Sequence, residues 1–363
     1  MIVTLVSGIY PPDIGGPATY IPELAQYLTD SGETVKVVTL TNDKSQKIDG
    51  TWRIFLLSRR LRRIPRFFAV CLTLLAIKTS IYFANGMHEE VAVINFLKRK
   101  RAIAKIVGDP VWERARNSGF QCGNIEEFNS IKLPRRYLIQ RNFLTWSLNR
   151  YDLVICPSEE LVQIVKKWGV KTSIKYLPNG VPRTDLKVLN KQHEVVAVSR
   201  LVPWKNLDIL IHACANLGAR LNIAGDGPEE EKLRDLAIKL GANVTFSGSL
   251  NSAGVMDLLS NSQVFVLLSD YEGQSFALLQ AMSLGIPVLV STAKGNTQVI
   301  HDNFNGLVVN PKLLDSVVEK LGKILQSLAL QEFLGNNAKE TAESKYSLHA
   351  NLLRVRGLLL EIE

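Results

Sequence analysis

Short runs of Val, Ile and Leu recur along this chain, and almost every run is followed by a segment whose apolar residues fall at helical spacing. No other feature narrows the fold as much. Repeated strand–helix–strand units pair their strands in parallel, and a parallel sheet needs helices over both faces. In the first half the pattern predicts strands at Ile2–Val6, Val35–Thr39, Ile54–Leu57, Ile81–Phe83, Ile103–Val107, Leu153–Cys156 and Ile174–Leu177. The first helix should bury Ile21, Leu24, Ala25 and Leu28 along one face and stop at Ser31-Gly32, where glycine takes the left-handed cap.

The pattern breaks at Pro178-Asn179-Gly180-Val181-Pro182, whose two prolines and Asn-Gly pair mark a turn and an interdomain linker. It then restarts. Strands are predicted at Val195–Ser199, Leu221–Ala224, Val244–Ser247, Val264–Leu268 and Val288–Ser291. Between them, Leu207, Leu210, Ile211 and Cys214 define one helix face, and Leu233, Leu236, Ala237 and Leu240 another. From about Ser347 a last helix turns Leu352, Val355, Leu359 and Ile362 inward. The expected fold is α/β, with two Rossmann-like parallel-sheet domains facing a central cleft and ligand loops at the carboxyl ends of the strands. The expected domains are residues 1–182 and 183–346, with a closing helix at 347–363.

A chain of 363 residues with 46% hydrophobic and 21% charged residues has the size and balance of a two-domain globular enzyme. Cys71, Cys122, Cys156 and Cys214 are scattered with no C-x-x-C pair, which points to a reducing compartment and away from a zinc site. Met1–Val6 reads as a strand rather than a signal peptide. The longest apolar run, Phe67–Ile77, would extend about 16 Å as a helix, short of the roughly 30 Å that a bilayer core requires. Residues 1–185 hold 27 Lys and Arg against 16 Asp and Glu, whereas the remainder holds 16 against 18. The surplus gathers at Arg59, Arg60, Arg62, Arg63 and Arg66, and again at Lys98–Arg101. Such a surface either attracts polyanions, as at an anionic membrane face, or simply keeps the protein solvated. No nucleic-acid module accompanies the charge, so nucleic acid is not an expected partner.

Four strand–helix loops carry candidate chemistry. In Pro11-Pro12-Asp13-Ile14-Gly15-Gly16-Pro17, Gly15 and Gly16 would let backbone amides approach an anion at a helix N-terminus, although tight turns use glycine too. In Ser199-Arg200-Leu201-Val202-Pro203-Trp204-Lys205, Arg200 should end a strand and Lys205 begin a helix, a placement suited to gripping a diphosphate and its developing charge. In the third loop, Glu272 precedes the amides of Gly273, Gln274, Ser275 and Phe276, a carboxylate for sugar hydroxyls beside donors for phosphate oxygens. Gln280 follows in the helix, two turns in, on the side that could reach the cleft. After Leu221–Ala224, Gly225 and Gly227 in Gly225-Asp226-Gly227-Pro228 would admit a nucleotide or form a plain turn. No D-x-D pair sits at a strand end, so no metal site and no cofactor beyond the donor substrate is expected.

In order and spacing, Gly15-Gly16-Pro17, Asn179-Gly180-Val181, Arg200 with Lys205, Gly225-Asp226-Gly227-Pro228 and Glu272-Gly273 through Ala281-Met282 resemble glycosyltransferase family 4, the retaining GT-B enzymes, nearly from end to end. The resemblance implies that Arg200 and Lys205 bind the donor diphosphate and that Glu272 contacts the transferred sugar. It implies that the amides of Ser275, Phe276 and Ala277 support sugar and phosphate, and that Gly15 and Gly16 close over the phosphates. The second domain would hold the nucleotide-sugar, the first the acceptor, and the last helix would pack back on the first. Three positions depart from the family: Gln280 stands where the E-x7-E motif ends in Glu, Val107 where many relatives have His, and Gln298 where Glu is usual. Asp109 or His88 would then supply the missing polar group at the catalytic centre.

The resulting expectation is a metal-independent retaining hexosyltransferase. It would use a nucleotide-diphosphate sugar and act on a lipid-linked or cell-envelope glycan at the cytoplasmic membrane face, with Arg59–Lys78 docking on anionic lipid. The alternatives are a soluble sugar or sugar-phosphate acceptor, or a degenerate GT-B binding module.

Overall fold

The computed structural model describes residues 1–42, 51–120, 123–184 and 193–362; Cys122 lies outside them. They form two parallel sheets. The first contains β1 (Ile2–Ser7), β2 (Thr34–Thr41), β3 (Arg53–Ser58), β4 (Ile81–Asn85), β5 (Arg101–Lys105), β6 (Leu153–Cys156) and β7 (Ile174–Tyr176), in the order β3-β2-β1-β4-β5-β6-β7. The second contains β8 (His193–Val198), β9 (Leu221–Ala224), β10 (Val244–Gly248), β11 (Ser262–Leu267), β12 (Val288–Ser291) and β13 (Leu307–Val309), in the order β10-β9-β8-β11-β12-β13. Strand order reverses beside β1 in one sheet and beside β8 in the other. Chains leaving neighbouring strands diverge at such a point and open a crevice at the carboxyl edge.

The central strands are continuous apolar runs because both their faces are covered. Val3, Leu5 and Phe83 are fully buried in the first sheet, as are Val195, Val264 and Phe265 in the second. The helix Gly16–Asp30 buries Ile21, Leu24, Ala25 and Leu28, and the helix Leu207–Leu217 buries Leu207, Leu210, Ile211 and Cys214. In the helix Glu230–Leu240, Leu233 and Ala237 are buried while Leu236 and Leu240 pack at the core margin. Cys71, Cys156 and Cys214 are buried free thiols. The pattern differs from expectation at two places: β5 stops at Lys105, leaving Val107 off the strand and exposed, and β13 was not anticipated.

The chain divides into one compact unit of Met1–Pro178 with Leu352–Glu363 and another of Asn179–Asn351. The change falls at Pro178 rather than after Pro182, and local hydrogen bonding explains why. The Val181 amide donates to Tyr346 O (2.8 Å) and the Leu348 amide to Val181 O (2.9 Å), so the turn pairs with the 346–348 segment of the second unit. A Cβ on Gly180 would come within 2.5 Å of Leu348 Cα. In the first unit, the last helix buries Val355 and Leu359, and Arg356 donates to Glu33 (3.2 Å).

The helix Arg63–Ala76 buries Val70, Cys71 and Leu74 while Ile64, Phe68, Leu72 and Leu75 face solvent at spacings of four, four and three. Arg59 does not belong to that surface. Its guanidinium pairs with Asp13 and also donates to Gly8 O (3.1 Å) and Leu40 O (3.2 Å), pinning the loop after β1. Among the described residues no helix is long and apolar enough to cross a membrane.

Candidate active site

At the carboxyl edge of the second sheet, the loop after β8 meets the loop after β11. Lys205 is the last residue of a 3₁₀ turn, Pro203–Lys205, and not the first of the following helix. Asn206 then adopts a left-handed backbone (φ 51°) that starts the helix Leu207–Leu217. Its side-chain amide donates to Leu268 O (2.8 Å) and to Asp270 Oδ1 (2.8 Å), and the Asp270 amide donates to Trp204 O (2.8 Å). These three bonds tie the two loops together, and asparagine suits the post because it tolerates that conformation better than most residues.

The stitched loops set Lys205 Nζ against Glu272 Oε1, with side chains only 13% and 11% exposed. Ser269 Oγ donates to the same oxygen (2.6 Å). The Glu272 backbone is held from behind: a Cβ on Gly295 would lie 1.9 Å from Glu272 O, so only glycine admits this approach of the Lys294–Thr297 turn. Ser291 and Asn296 complete the support, with Ser291 Oγ donating to Ser269 O and Asn296 Nδ2 donating to Ser291 Oγ (3.0 Å).

Lys205 and Glu272 thus come together. Arg200 is exposed, with its guanidinium 5.9 Å from the centre of the Trp204 ring, and no described bond joins it to Glu272. Gln274 turns its side-chain oxygen to the neighbouring turn. Its Oε1 accepts from the Asn179 amide, and Asn179 Nδ2 donates to Gln274 O (3.2 Å), which locks the turn at Asn179 to the loop. Gly273 is buried beside it. Ser275 caps the helix Phe276–Ser283 by accepting from the Leu278 amide (3.2 Å); Phe276 and Ala277 occupy its first turn, where the positive end of the helix dipole lies. Gln280 stands little more than one turn into that helix, not two, and its amide reaches Ser252 Oγ (3.4 Å).

Gly225 and Gly227 answer a packing need. Both have positive φ, at 137° and 157°. Added Cβ atoms would fall 1.8 Å from Ser199 O and 2.3 Å from Leu201 O. The loop after β9 therefore presses directly on the loop that carries Arg200, and Leu201 N donates to Asp226 O (2.7 Å).

In the first unit, exposed Gly15 (φ 141°) caps the helix Gly16–Asp30, which half-buried Gly16 begins. His88 starts the helix His88–Lys98; burial pushes its imidazole down to about 4, and Nδ1 has no hydrogen-bond partner. Asp109 cannot fill the catalytic vacancy expected of it. It is fully buried and caps the helix Pro110–Asn117, with Oδ1 accepting from the Val111 and Trp112 amides (3.0 Å each). Its Oδ2 pairs with Arg141 (2.6 Å). No described contact joins Asp109 to His88. Among the described residues, no three His, Cys, Asp or Glu side chains gather closely enough to hold a metal ion.

Two doubly wound parallel sheets, with a lysine–carboxylate pair at the carboxyl edge of the second, make up a GT-B fold. The chain belongs to the family 4 type: the family described as Glycosyltransferase Family 4 matches residues 14–185, and the one described as Glycosyl transferases group 1 matches residues 183–341. Among solved structures, it is similar to sucrose-phosphate synthase from Thermosynechococcus elongatus, with a TM-score of 0.81 and 18% identity over 99% of this chain and 98% of that one. Anabaena HepE in complex with UDP and glucose superposes with a TM-score of 0.78 and 18% identity, covering 99% of this chain and 100% of that one. An uncharacterized glycosyltransferase of Methanocaldococcus jannaschii is 33% identical over 46% of this chain and 44% of its own length. The GDP-mannose-dependent alpha-(1-6)-phosphatidylinositol monomannoside mannosyltransferase of Mycobacterium tuberculosis is 31% identical over 44% of this chain and 48% of its own length. The chain spans about half the length of these curated relatives.

Proposed function

We propose that this chain transfers a hexosyl group from a nucleotide-diphosphate sugar to an acceptor hydroxyl, with retention at the anomeric carbon and without a metal ion. The observation that carries the reading is the shielded Lys205–Glu272 contact at the carboxyl edge of the second sheet. Both described contacts to Glu272 use Oε1, so Oε2 is the oxygen left to accept from a sugar hydroxyl. The Lys205 ammonium, with Arg200 nearby in sequence, neutralises the diphosphate as the glycosidic C–O bond breaks. The acceptor oxygen bonds to the anomeric carbon on the face that the leaving group vacates, through an oxocarbenium-like state, and its proton passes to the leaving phosphate. The amides of Ser275, Phe276 and Ala277 support sugar and phosphate. The second unit holds the donor and the first the acceptor. His88, neutral at physiological pH, remains the candidate polar group of the first unit.

The Anabaena HepE structure is a complex with UDP and glucose, which supports a nucleotide-sugar donor. The mycobacterial relative is named as a phosphatidylinositol monomannoside mannosyltransferase, which supports a lipid-linked acceptor; we place that acceptor at the cytoplasmic face of the membrane. The helix Arg63–Ala76 would dock there through Ile64, Phe68, Leu72 and Leu75, flanked by Arg60, Arg62 and Arg63. Replacing Phe68 and Leu72 together with Ser should abolish most binding to anionic vesicles; unchanged co-sedimentation would remove the membrane part and leave the transferase part standing.

The donor is tested with a panel of UDP-, GDP- and ADP-hexoses scored by thermal shift and donor hydrolysis. One member should stabilise the protein by about 2.7 kcal/mol at a hundred times its Kd. A panel that neither shifts the melting temperature nor is hydrolysed rejects the reading. Stabilisation without turnover, with or without acceptor, would instead mark a binding module.

A further inference from the structure

We infer that the amino-terminal edge of the first sheet carries an anion site for a phosphate ester. A cavity of about 390 Å³ opens there, at the end of the sheet opposite the loops described above. It lies where the helices His88–Lys98 and Arg135–Leu148 end and where β5 and β6 begin. Arg99, Lys100, Arg101 and Arg150 line it, against a single carboxylate, Asp152.

That carboxylate is already engaged. Arg101 donates to its Oδ1 (2.8 Å), and the Ala102 amide donates to its Oδ2 (2.8 Å). Helix C-termini attract cations by their dipoles, and this accounts for a basic residue at each helix end. It does not account for four around one hollow. Nor does it explain the posture of Arg150. Its guanidinium lies 4.4 Å from the centre of the Trp146 ring and 5.2 Å from that of Phe96, and its Nε is buried without a hydrogen-bond partner. Two rings hold the planar fork at the cavity before any partner arrives. A fixed guanidinium beside an ammonium recognises the oxygens of a phosphate group, which accepts several charge-assisted bonds at once. A small carboxylate would leave most of these donors unused.

The phosphate could belong to a soluble ester or to a phospholipid headgroup, and Phe96 at the rim is 62% exposed. The experiment therefore has two arms. Wild-type protein and the Arg99→Gln/Lys100→Gln variant are compared for co-sedimentation with vesicles of phosphatidylglycerol and phosphatidylcholine in equal parts at low salt. The same two substitutions are compared for pyrophosphate binding by calorimetry in a Lys205→Ala background, which weakens the proposed donor site. The Lys166→Gln/Lys167→Gln variant removes equal charge from exposed positions elsewhere on the unit and is the control.

A loss of about thirtyfold in vesicle affinity, beyond that of the control, assigns the site to a lipid phosphate. A loss of about tenfold in the pyrophosphate arm alone assigns it to a soluble ester. Arg150→Lys, which keeps the charge but not the stacked fork, should weaken whichever arm responds. Equal losses in variant and control, or no loss in either arm, overturn the inference. Every arm reads binding, so the result stands apart from that of the transferase assay.

Discussion

Replacing Lys205 with Ala should lower kcat by roughly a hundred- to a thousandfold, the effect of deleting one group that stabilises charge only in the transition state. The substitution removes the cation beside Glu272 in a pocket where neither side chain is more than 13% exposed. Water screens little there, so no solvent molecule reproduces the ammonium when the diphosphate departs. Folding suffers less. Glu272 keeps Ser269 as a donor, and the loop keeps the bonds from Asn206 and Asp270. Lys205→Arg should recover part of the rate, because the charge returns in another shape. Steady-state kinetics with the donor found by thermal shift, beside a melting curve, separates the two effects. Near-normal turnover in the alanine variant would remove the diphosphate clamp.

The second large effect falls on stability. Asp109→Asn should cost about 3–5 kcal/mol, the usual penalty for leaving one partner of a buried ion pair uncompensated. Asparagine is itself a good helix cap and can still accept from the Val111 and Trp112 amides. The change therefore isolates the charge. Arg141 would remain 7% exposed, between the rings of Trp168 and Phe128, with only Asn129 among the described residues to accept from it. Urea denaturation measures the loss; a change under about 1 kcal/mol would put the pair in the class of surface salt bridges.

Strands and helices of this chain are legible because their signals are local. Val195–Ser199 or the Ile21-Leu24-Ala25-Leu28 face can be read within one window, and the structure places each within a residue or two. β13 escaped because Leu307–Val309 is too short to show a period. The role of Asp109 escaped for a different reason. Asp-Pro at a helix start is a legible cap, but the partner that buries it, Arg141, lies 32 residues away. Lys105 is similar: nothing in Arg101–Lys105 tells that its ammonium is fully buried 3.4 Å from the centre of the Tyr20 ring. Lys205 and Glu272 were both singled out from their loops, yet their contact spans 67 residues of chain and rests on Asn206 and Gly295, whose roles exist only in three dimensions.

Gly225 against Ser199, Gly227 against Leu201 and Gly295 against Glu272 are main-chain contacts too close for any side chain. A ligand meeting such an edge finds loops whose freedom was surrendered when the sheet formed. Little ordering is left for it to impose, so its affinity should arise chiefly from the groups it touches. Drift in sequence is correspondingly constrained: a methyl group at any of these glycines would pry apart two loops at once, shifting the pair of charges without altering either one.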